Sequence, residues 1–274
     1  MTALLKGYPI MRRNILRQRA QAGHGSVNGW LSIPSAYAAE VMGHQGFDSV
    51  TVDLQHGMIG FDAAIGMLQA LSSTPAMPMA RVGKSDSAMV MQLLDAGAYG
   101  IICPMISSAS EARQFAAFCR YPPRGQRSFG PARGLLYGGN DYFKHADDEV
   151  LCLAMIETTA GLRDIDEILA VDELDGIYVG PNDLALALGC APSAEPTDVV
   201  VIDAIQAICL ATSKNKKIAG IFCSSGEAAA KRFEEGFDLV TPGNDVGLLS
   251  RAAKAAIASS RRQREEIVVS ANGY

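Results

Sequence analysis

The segment SVTVDLQHG, residues 49–57, begins as a β-branched run and ends in an aspartate, a glutamine, a histidine and a glycine. A strand that needed only a turn would close on Asn-Gly or Asp-Gly. Here Asp53 and His56, two groups able to exchange protons, stand at i and i+3 at the carboxyl end of the strand. Further along, Arg81 closes the apolar run PMARV, Glu157 follows VLCLAMI, and Asp183 lies in GPNDL just after GIYVG. Each residue alone has an ordinary explanation. A lone histidine can be structural, Arg81 can pair with a surface carboxylate, and Glu157 or Asp183 can cap the helix that follows. Five ionisable groups at the ends of four strand-like runs are harder to explain one by one.

The residue types suggest a chemistry. Glu157 and Asp183 are both carboxylates, with no cysteine or histidine beside them in sequence to complete a tetrahedral zinc site. Two protein oxygens leave room for water and substrate oxygens around an octahedral Mg2+ or Mn2+, with Co2+ a third candidate. The GPND turn, Gly180–Asp183, offers unpaired backbone N–H groups to an anion such as a carboxylate. A cation beside a carboxylate cradle suits a 2-oxo acid, whose C3 becomes acidic when its keto oxygen is polarised. Arg81 could then hydrogen-bond to the oxygen that gains charge. His56 could take the proton of a C4 hydroxyl as the C3–C4 bond breaks. On this reading DLQHG ends its strand so that Asp53 and His56 face the substrate, and Gly57 lets the chain turn away.

Such residues need a scaffold that brings distant strand ends together. Strand-like runs recur at 29–33, 49–54, 78–82, 100–105, 150–157, 176–180, 218–222 and 238–242, separated by segments of helical period. Several of these strands are apolar on both faces, as a parallel sheet covered by helices requires. Three of the helical segments close in glycine before the next strand, the usual helix C-cap. About eight βα units in one chain predict an α/β fold, a single-domain (β/α)8 TIM barrel over 1–274, with catalytic groups at the carboxyl ends of the strands. No GxGxxG follows the first strand, which weakens an open dinucleotide-binding sheet. One segment breaks the rhythm: 121–150 is rich in Pro and Gly and carries Arg124, Arg127, Arg133 and Lys144. It follows the helix after the fourth strand and should approach the fifth strand from the end opposite the rim, as a surface or subunit-contact loop.

Composition narrows the function classes. The 274 residues are 49% apolar and 19% charged, enough for a large core and unlike a disordered chain. A net charge of −5 argues against nucleic acid or an anionic membrane as main partner. The six cysteines form no CxxC pair and lie in apolar surroundings, so they read as reduced, buried thiols. No apolar run reaches membrane-spanning length, and the N-terminus lacks a signal-peptide core and ends in a basic helical pattern. A cytoplasmic enzyme acting on small molecules is expected.

With these motifs in place, the sequence resembles the class II pyruvate aldolases of the HpcH/HpaI type, a family that includes 4-hydroxy-2-oxoheptanedioate and 2-keto-3-deoxy-L-rhamnonate aldolases. The resemblance rests on the order of DLQHG, QLLDAGAYGIICPM, YPPRGQRSFG, MIET and GPNDLALALG and covers most of the chain. It implies a metal-dependent barrel that cleaves 4-hydroxy-2-oxo acids to pyruvate and an aldehyde, in aromatic or sugar acid catabolism. By resemblance Glu157 and Asp183 are the metal ligands. His56 is the base, with Asp95 as its carboxylate partner and Asp53 nearby, and Arg81 contacts the keto oxygen. The backbone of Gly180, Pro181, Asn182 and Asp183 holds the substrate carboxylate, and Trp30, Asn182 and Phe222 line the substrate site. The resemblance also implies a homo-hexamer in which the C-terminal helix is exchanged between neighbours. Two positions depart from the pattern: Gln55 stands where the family often has glutamate, and Met155 where it often has glutamine. The competing reading is a CoA-ester lyase of the citrate lyase β or malyl-CoA type, for which 121–150 is the candidate coenzyme A surface.

Overall fold

The structure, a computed structural model, describes residues 11–271. The opening MTALLKGYPI, which bears on the reading of the N-terminus, lies outside them. Eight parallel strands close in sequence order: β1 (Ser26–Leu31), β2 (Ser49–Asp53), β3 (Met77–Arg81), β4 (Gly100–Cys103), β5 (Leu151–Ile156), β6 (Gly176–Val179), β7 (Ile218–Phe222) and β8 (Leu239–Thr241). The last pairs with the first, Ser26 opposite Leu239. Helix α1 (Ile15–Gln21) precedes the barrel. Around it run α2 (Ala36–Gly43), α3 (Phe61–Ser72), α4 (Ser87–Asp95), α5 (Ala109–Cys119), α6 (Ala132–Gly138) and α7 (Tyr142–Glu149). They are followed by α8 (Thr159–Arg163), α9 (Ile165–Leu169), α10 (Pro181–Ala187), α11 (Val199–Lys214), α12 (Gly226–Glu234) and α13 (Asp245–Ala271).

Both faces of each strand are buried, but the two faces meet different neighbours. On β5, Cys152, Ala154 and Ile156 join the core between sheet and helices, whereas Leu151, Leu153 and Met155 belong to the barrel interior. β3 behaves alike: Ala80 faces the helices, Met77 and Met79 the interior. Side chains alternate along a strand. The inward series 77, 79, 81 and 151, 153, 155, 157 therefore place Arg81 and Glu157 at the top of the interior. Asp53, Trp30 and Phe222 share that parity on their own strands.

The expected C-cap glycines are Gly46, Gly97 and Gly236, with φ of 92°, 107° and 99°. Strand ends shift by a residue or two from the sequence reading, and two differences are larger. The first strand starts at Ser26, before the expected 29, because Asn28 satisfies its amide inside the barrel and so lengthens the strand with polar residues. The segment 121–150 holds two helices, α6 and α7, and Arg127 ties it to the far end of the barrel by pairing with Asp95 at the end of α4 (2.7 Å).

Asn28 centres a buried network below the rim. Its Oδ1 accepts from Ser49 Oγ (2.8 Å) and Thr51 Oγ1 (3.0 Å), and its Nδ2 donates to Thr241 Oγ1 (2.9 Å). Tyr178 OH donates to the same threonine (2.7 Å). Asn28→Ala is expected to strand several of these groups and cost about 2–3 kcal/mol, read as a lower urea midpoint at unchanged m-value. An unshifted midpoint would show that the network adds nothing to stability.

Candidate active site

A cavity of about 430 Å3 opens at the carboxyl ends of the strands. Asp53, His56, Arg81, Glu157, Gly180, Pro181, Asn182, Asp183, Trp30 and Phe222, all expected from sequence, line it.

At its floor, Asp53 and Arg81 are register partners on β2 and β3. Arg81 Nε donates to Asp53 Oδ1 (2.8 Å) and Nη2 to Oδ2 (2.6 Å), a bidentate fork. Burial alone would raise the Asp53 carboxyl, but the Arg81 guanidinium outweighs it and holds that group below its ordinary value. Trp30 Nε1 also donates to Asp53 Oδ2 (3.2 Å), and Arg81 Cζ lies 4.8 Å from the Trp30 ring centre. The amides of Gln55 and His56 donate to Asp53 Oδ1 at 3.0 and 3.3 Å. Asp53 thus orients Arg81 and shapes the DLQHG turn, rather than offering a carboxylate free for proton transfer. Arg81 Nη1 remains for the cavity, and among the described residues its one hydrogen-bond contact is the Met155 sulfur at 4.0 Å.

Glu157 is 2% exposed and follows β5. Thr158 caps α8, its Oγ1 accepting from Gly161 N (3.0 Å), so Glu157 is not used as a cap. One Glu157 oxygen accepts from Met105 N at 2.8 Å, an amide presented by a left-handed backbone of φ 60°. The other lies against Gly180, where a Cβ would collide with it. Burial, reinforced by Asp183, raises the Glu157 carboxyl to about 7. Asp183 sits at the third position of α10, whose cap is Gly180 with no side-chain bond. Among the described residues no hydrogen bond or ion pair engages the Asp183 carboxylate. Two neighbouring carboxylates with an unfilled glycine cradle between them, one of them destabilised as an anion, form a donor set that suits a hard divalent cation. No cluster of three or more His, Cys, Asp or Glu side chains occurs among the described residues, so protein would supply two ligands and leave the rest to water and substrate.

His56 is exposed at the cavity mouth, and no described side chain pairs with its imidazole. The expected partner Asp95 is elsewhere. It is the last residue of α4, which starts at the rim after β3 and runs to the amino-terminal end of the barrel. There Asp95 pairs with Arg127 (2.7 Å). Within one chain the two groups are therefore at opposite ends.

The basic residues of 121–150 lie at that far end too. Arg124 pairs with Asp148 and Glu173, both at 2.8 Å, and Arg133 donates to the Ala96 carbonyl. A coenzyme A surface built from them would not adjoin the cavity, which removes the main support for the CoA-ester lyase reading. Sequence reasoning missed Ser32, Met58, Tyr178, Asn244 and Val246, which also line the cavity. Inward parity points to Tyr178, and the strand-end rule would have pointed to Asn244, just after β8.

A family profile described as HpcH/HpaI aldolase/citrate lyase matches residues 28–252. The chain is 42% identical over 248 residues to a hydroxypyruvate/pyruvate aldolase of Rhizorhabdus wittichii, covering 90% of this chain and 99% of that one. It is 32% identical over 248 residues to a 4-hydroxy-2-oxo-heptane-1,7-dioate aldolase of Escherichia coli, covering 89% and 94%. The solved structure of an HpcH/HpaI aldolase/citrate lyase family protein from Burkholderia cenocepacia superimposes with a TM-score of 0.85 at 29% identity, covering 90% and 99%.

Proposed function

The chain belongs to the HpcH/HpaI aldolase/citrate lyase family, and on that premise we propose that it is a metal-dependent aldolase. It reversibly cleaves a 4-hydroxy-2-oxo acid to pyruvate, or a related 2-oxo acid, and an aldehyde. The observation that carries this reading is the buried Glu157 beside Asp183, facing a cavity into which Arg81 keeps one guanidinium nitrogen. The relatives named above as aldolases support it.

Glu157 and Asp183 would hold Mg2+, Mn2+ or Co2+. When bound, such a cation acts as a Lewis acid on the keto group of a 2-oxo acid and acidifies its C3. Arg81, fixed by Asp53 and stacked on Trp30, directs Nη1 at the keto oxygen and stabilises the charge that builds there as the C3–C4 bond breaks. The amides of Asn182 and Asp183, ahead of the first α10 bond from Leu184 N to Gly180 O, receive the substrate carboxylate. His56, at the mouth, takes the C4 hydroxyl proton in cleavage and returns it in addition. Pro181 fixes the start of α10 and contributes no N–H.

This reading carries two further expectations. The protein works in the cytoplasm, in keeping with the absence, among the described residues, of a helix long and apolar enough to cross a membrane. It assembles as a homo-oligomer, a hexamer by analogy with the family, a reading supported by the exposure of Leu249 and Ile257 on α13.

The test follows hydrogen–deuterium exchange at C3 of pyruvate by proton NMR with Mn2+ present, in the wild type and in Arg81→Lys. Lysine keeps a charge opposite Asp53 but cannot form the fork, so exchange is expected to fall on the order of 10²–10³ while the protein stays folded. Arg81→Ala is the poorer probe, because it also leaves Asp53 buried and unpaired, at a cost of about 3–5 kcal/mol. Wild-type exchange in Arg81→Lys would take the keto oxygen away from Arg81.

A further inference from the structure

We infer that the aldehyde handled at this site carries no charge of its own: the acceptor end of the cavity is built for a neutral, hydroxylated or apolar tail, not for an aldehyde bearing a second carboxylate. The inference rests on the aldolase reading and adds the substrate class to it.

The barrel separates two halves of the cavity. Glu157 and Asp183 stand after β5 and β6, with Arg81 on β3. Across from them, β1, the β2 turn, β7 and the segment after β8 supply Trp30, Ser32, Met58, Phe222, Asn244 and Val246. Every one of these six side chains is uncharged. Trp30 and Phe222 meet edge to face at 5.7 Å, forming an apolar wall. Met58 is 79% exposed and Val246 48% exposed, so both offer apolar surface at the mouth. Asn244 Nδ2 donates to Ser32 Oγ (3.3 Å), and this pair can exchange hydrogen bonds with a hydroxyl on the tail.

The charge behind this wall is negative. Asp245 is buried, its Oδ1 accepting from Ser32 N (2.9 Å) and Val246 N (2.8 Å) and its Oδ2 from Ile33 N (3.1 Å). In the lining, the guanidinium of Arg81 already pairs with Asp53, Glu157 and Asp183 are committed to the cation they would share, and His56 stands at the mouth as the base. Arg251, further along α13, lies behind the segment after β8, its guanidinium beside Gly243 and Gly247 and directed to the Ser224 carbonyl (3.5 Å), and it is not part of the cavity lining. A carboxylate on the acceptor tail would lie against a neutral wall backed by Asp245, losing water and gaining no counter-charge from the six side chains of that wall.

In the addition direction C3 of pyruvate loses a proton, the C3–C4 bond forms, and the aldehyde oxygen gains a proton. The tail takes no part in this exchange, so its charge can be varied without altering the chemistry. Succinic semialdehyde and its methyl ester have the same aldehyde and nearly the same reach, and differ by one charge. With Mn2+-loaded full-length protein and pyruvate, kcat/KM is expected to favour the ester by about 10-fold or more. Val246→Lys, which places a cation on that wall, is expected to move the ratio by about 10-fold toward the acid. An acid used as well as its ester by the wild type, or a ratio that Val246→Lys leaves unmoved, would overturn the inference. Pyruvate C3 exchange without any aldehyde separates the two levels. If exchange proceeds and the acid is preferred, only the substrate class falls; if neither exchange nor addition occurs, the aldolase reading falls and the inference with it.

Discussion

Glu157→Gln and Asp183→Asn are each expected to lose the cleavage of 4-hydroxy-2-oxo acids by about 10³ or more, because removal of a Lewis acid worth several kcal/mol is not offset by anything else in the cavity. Mn2+ affinity, measured by calorimetry without substrate, should fall in parallel, and an unchanged affinity in either variant would withdraw the metal assignment. The pH dependence gives a second signature. In the cation-free protein the Glu157 carboxyl titrates at about 7, against an ordinary value of 4.5. Between those values the native state binds more protons than the unfolded chain, so stability falls as pH rises through the window, by on the order of 3 kcal/mol. The same proton competes with the cation, so Mn2+ affinity should rise with pH up to about 7 and then level off. Glu157→Gln has no such proton, and its urea midpoint should depend less on pH than that of the wild type. A variant with the wild-type slope would place the titrating group elsewhere.

The second large effect concerns His56. It is the imidazole at the cavity mouth, and a neutral imidazole carries a ring nitrogen that can accept a proton. His56→Ala is expected to slow cleavage of 4-hydroxy-2-oxo acids by roughly 10²–10⁴, the loss typical of a missing general base. Oxaloacetate has no C4 hydroxyl, so its decarboxylation in the same cavity should fall much less. Equal losses in both reactions would mean that His56 shapes or binds the substrate and that its proton leaves by another route. His56 is exposed and takes no part in the fold's ion pairs, so His56→Ala is expected to keep the wild-type melting temperature, which a circular dichroism melt checks.

Much of the architecture was legible because it follows local rules. Eight runs with two apolar faces, glycines where helices must end, and polar groups at strand ends each carry their own signal. Inward parity then predicts which of those groups share a chamber, and Arg81 and Glu157 obey it. What the sequence could not show was how the groups divide their work. Asp53 reads as a reactive carboxylate until a cross-strand arginine is seen to take both its oxygens, a contact that only the barrel's register creates. Asp95 shows a different limit. Its motif suggested a partner for His56, yet the βα alternation already places the end of α4 at the opposite pole from the rim. Within one chain the topology therefore keeps Asp95 and His56 apart. The amide of Met105 was beyond reach, since a left-handed methionine announces itself by nothing in its neighbours.

Trp30 is the only tryptophan in the sequence. Its indole donates to Asp53, faces the Arg81 guanidinium and touches Phe222. Indole emission shifts and quenches as nearby charges and dipoles rearrange, so the indole fluorescence of the whole protein, set apart from that of its tyrosines by selective excitation, comes from one wall of the cavity. Binding of a cation, a 2-oxo acid or an aldehyde analogue can therefore be followed optically, in the native chain and without turnover, and stopped-flow mixing would give each ligand its own on and off rates.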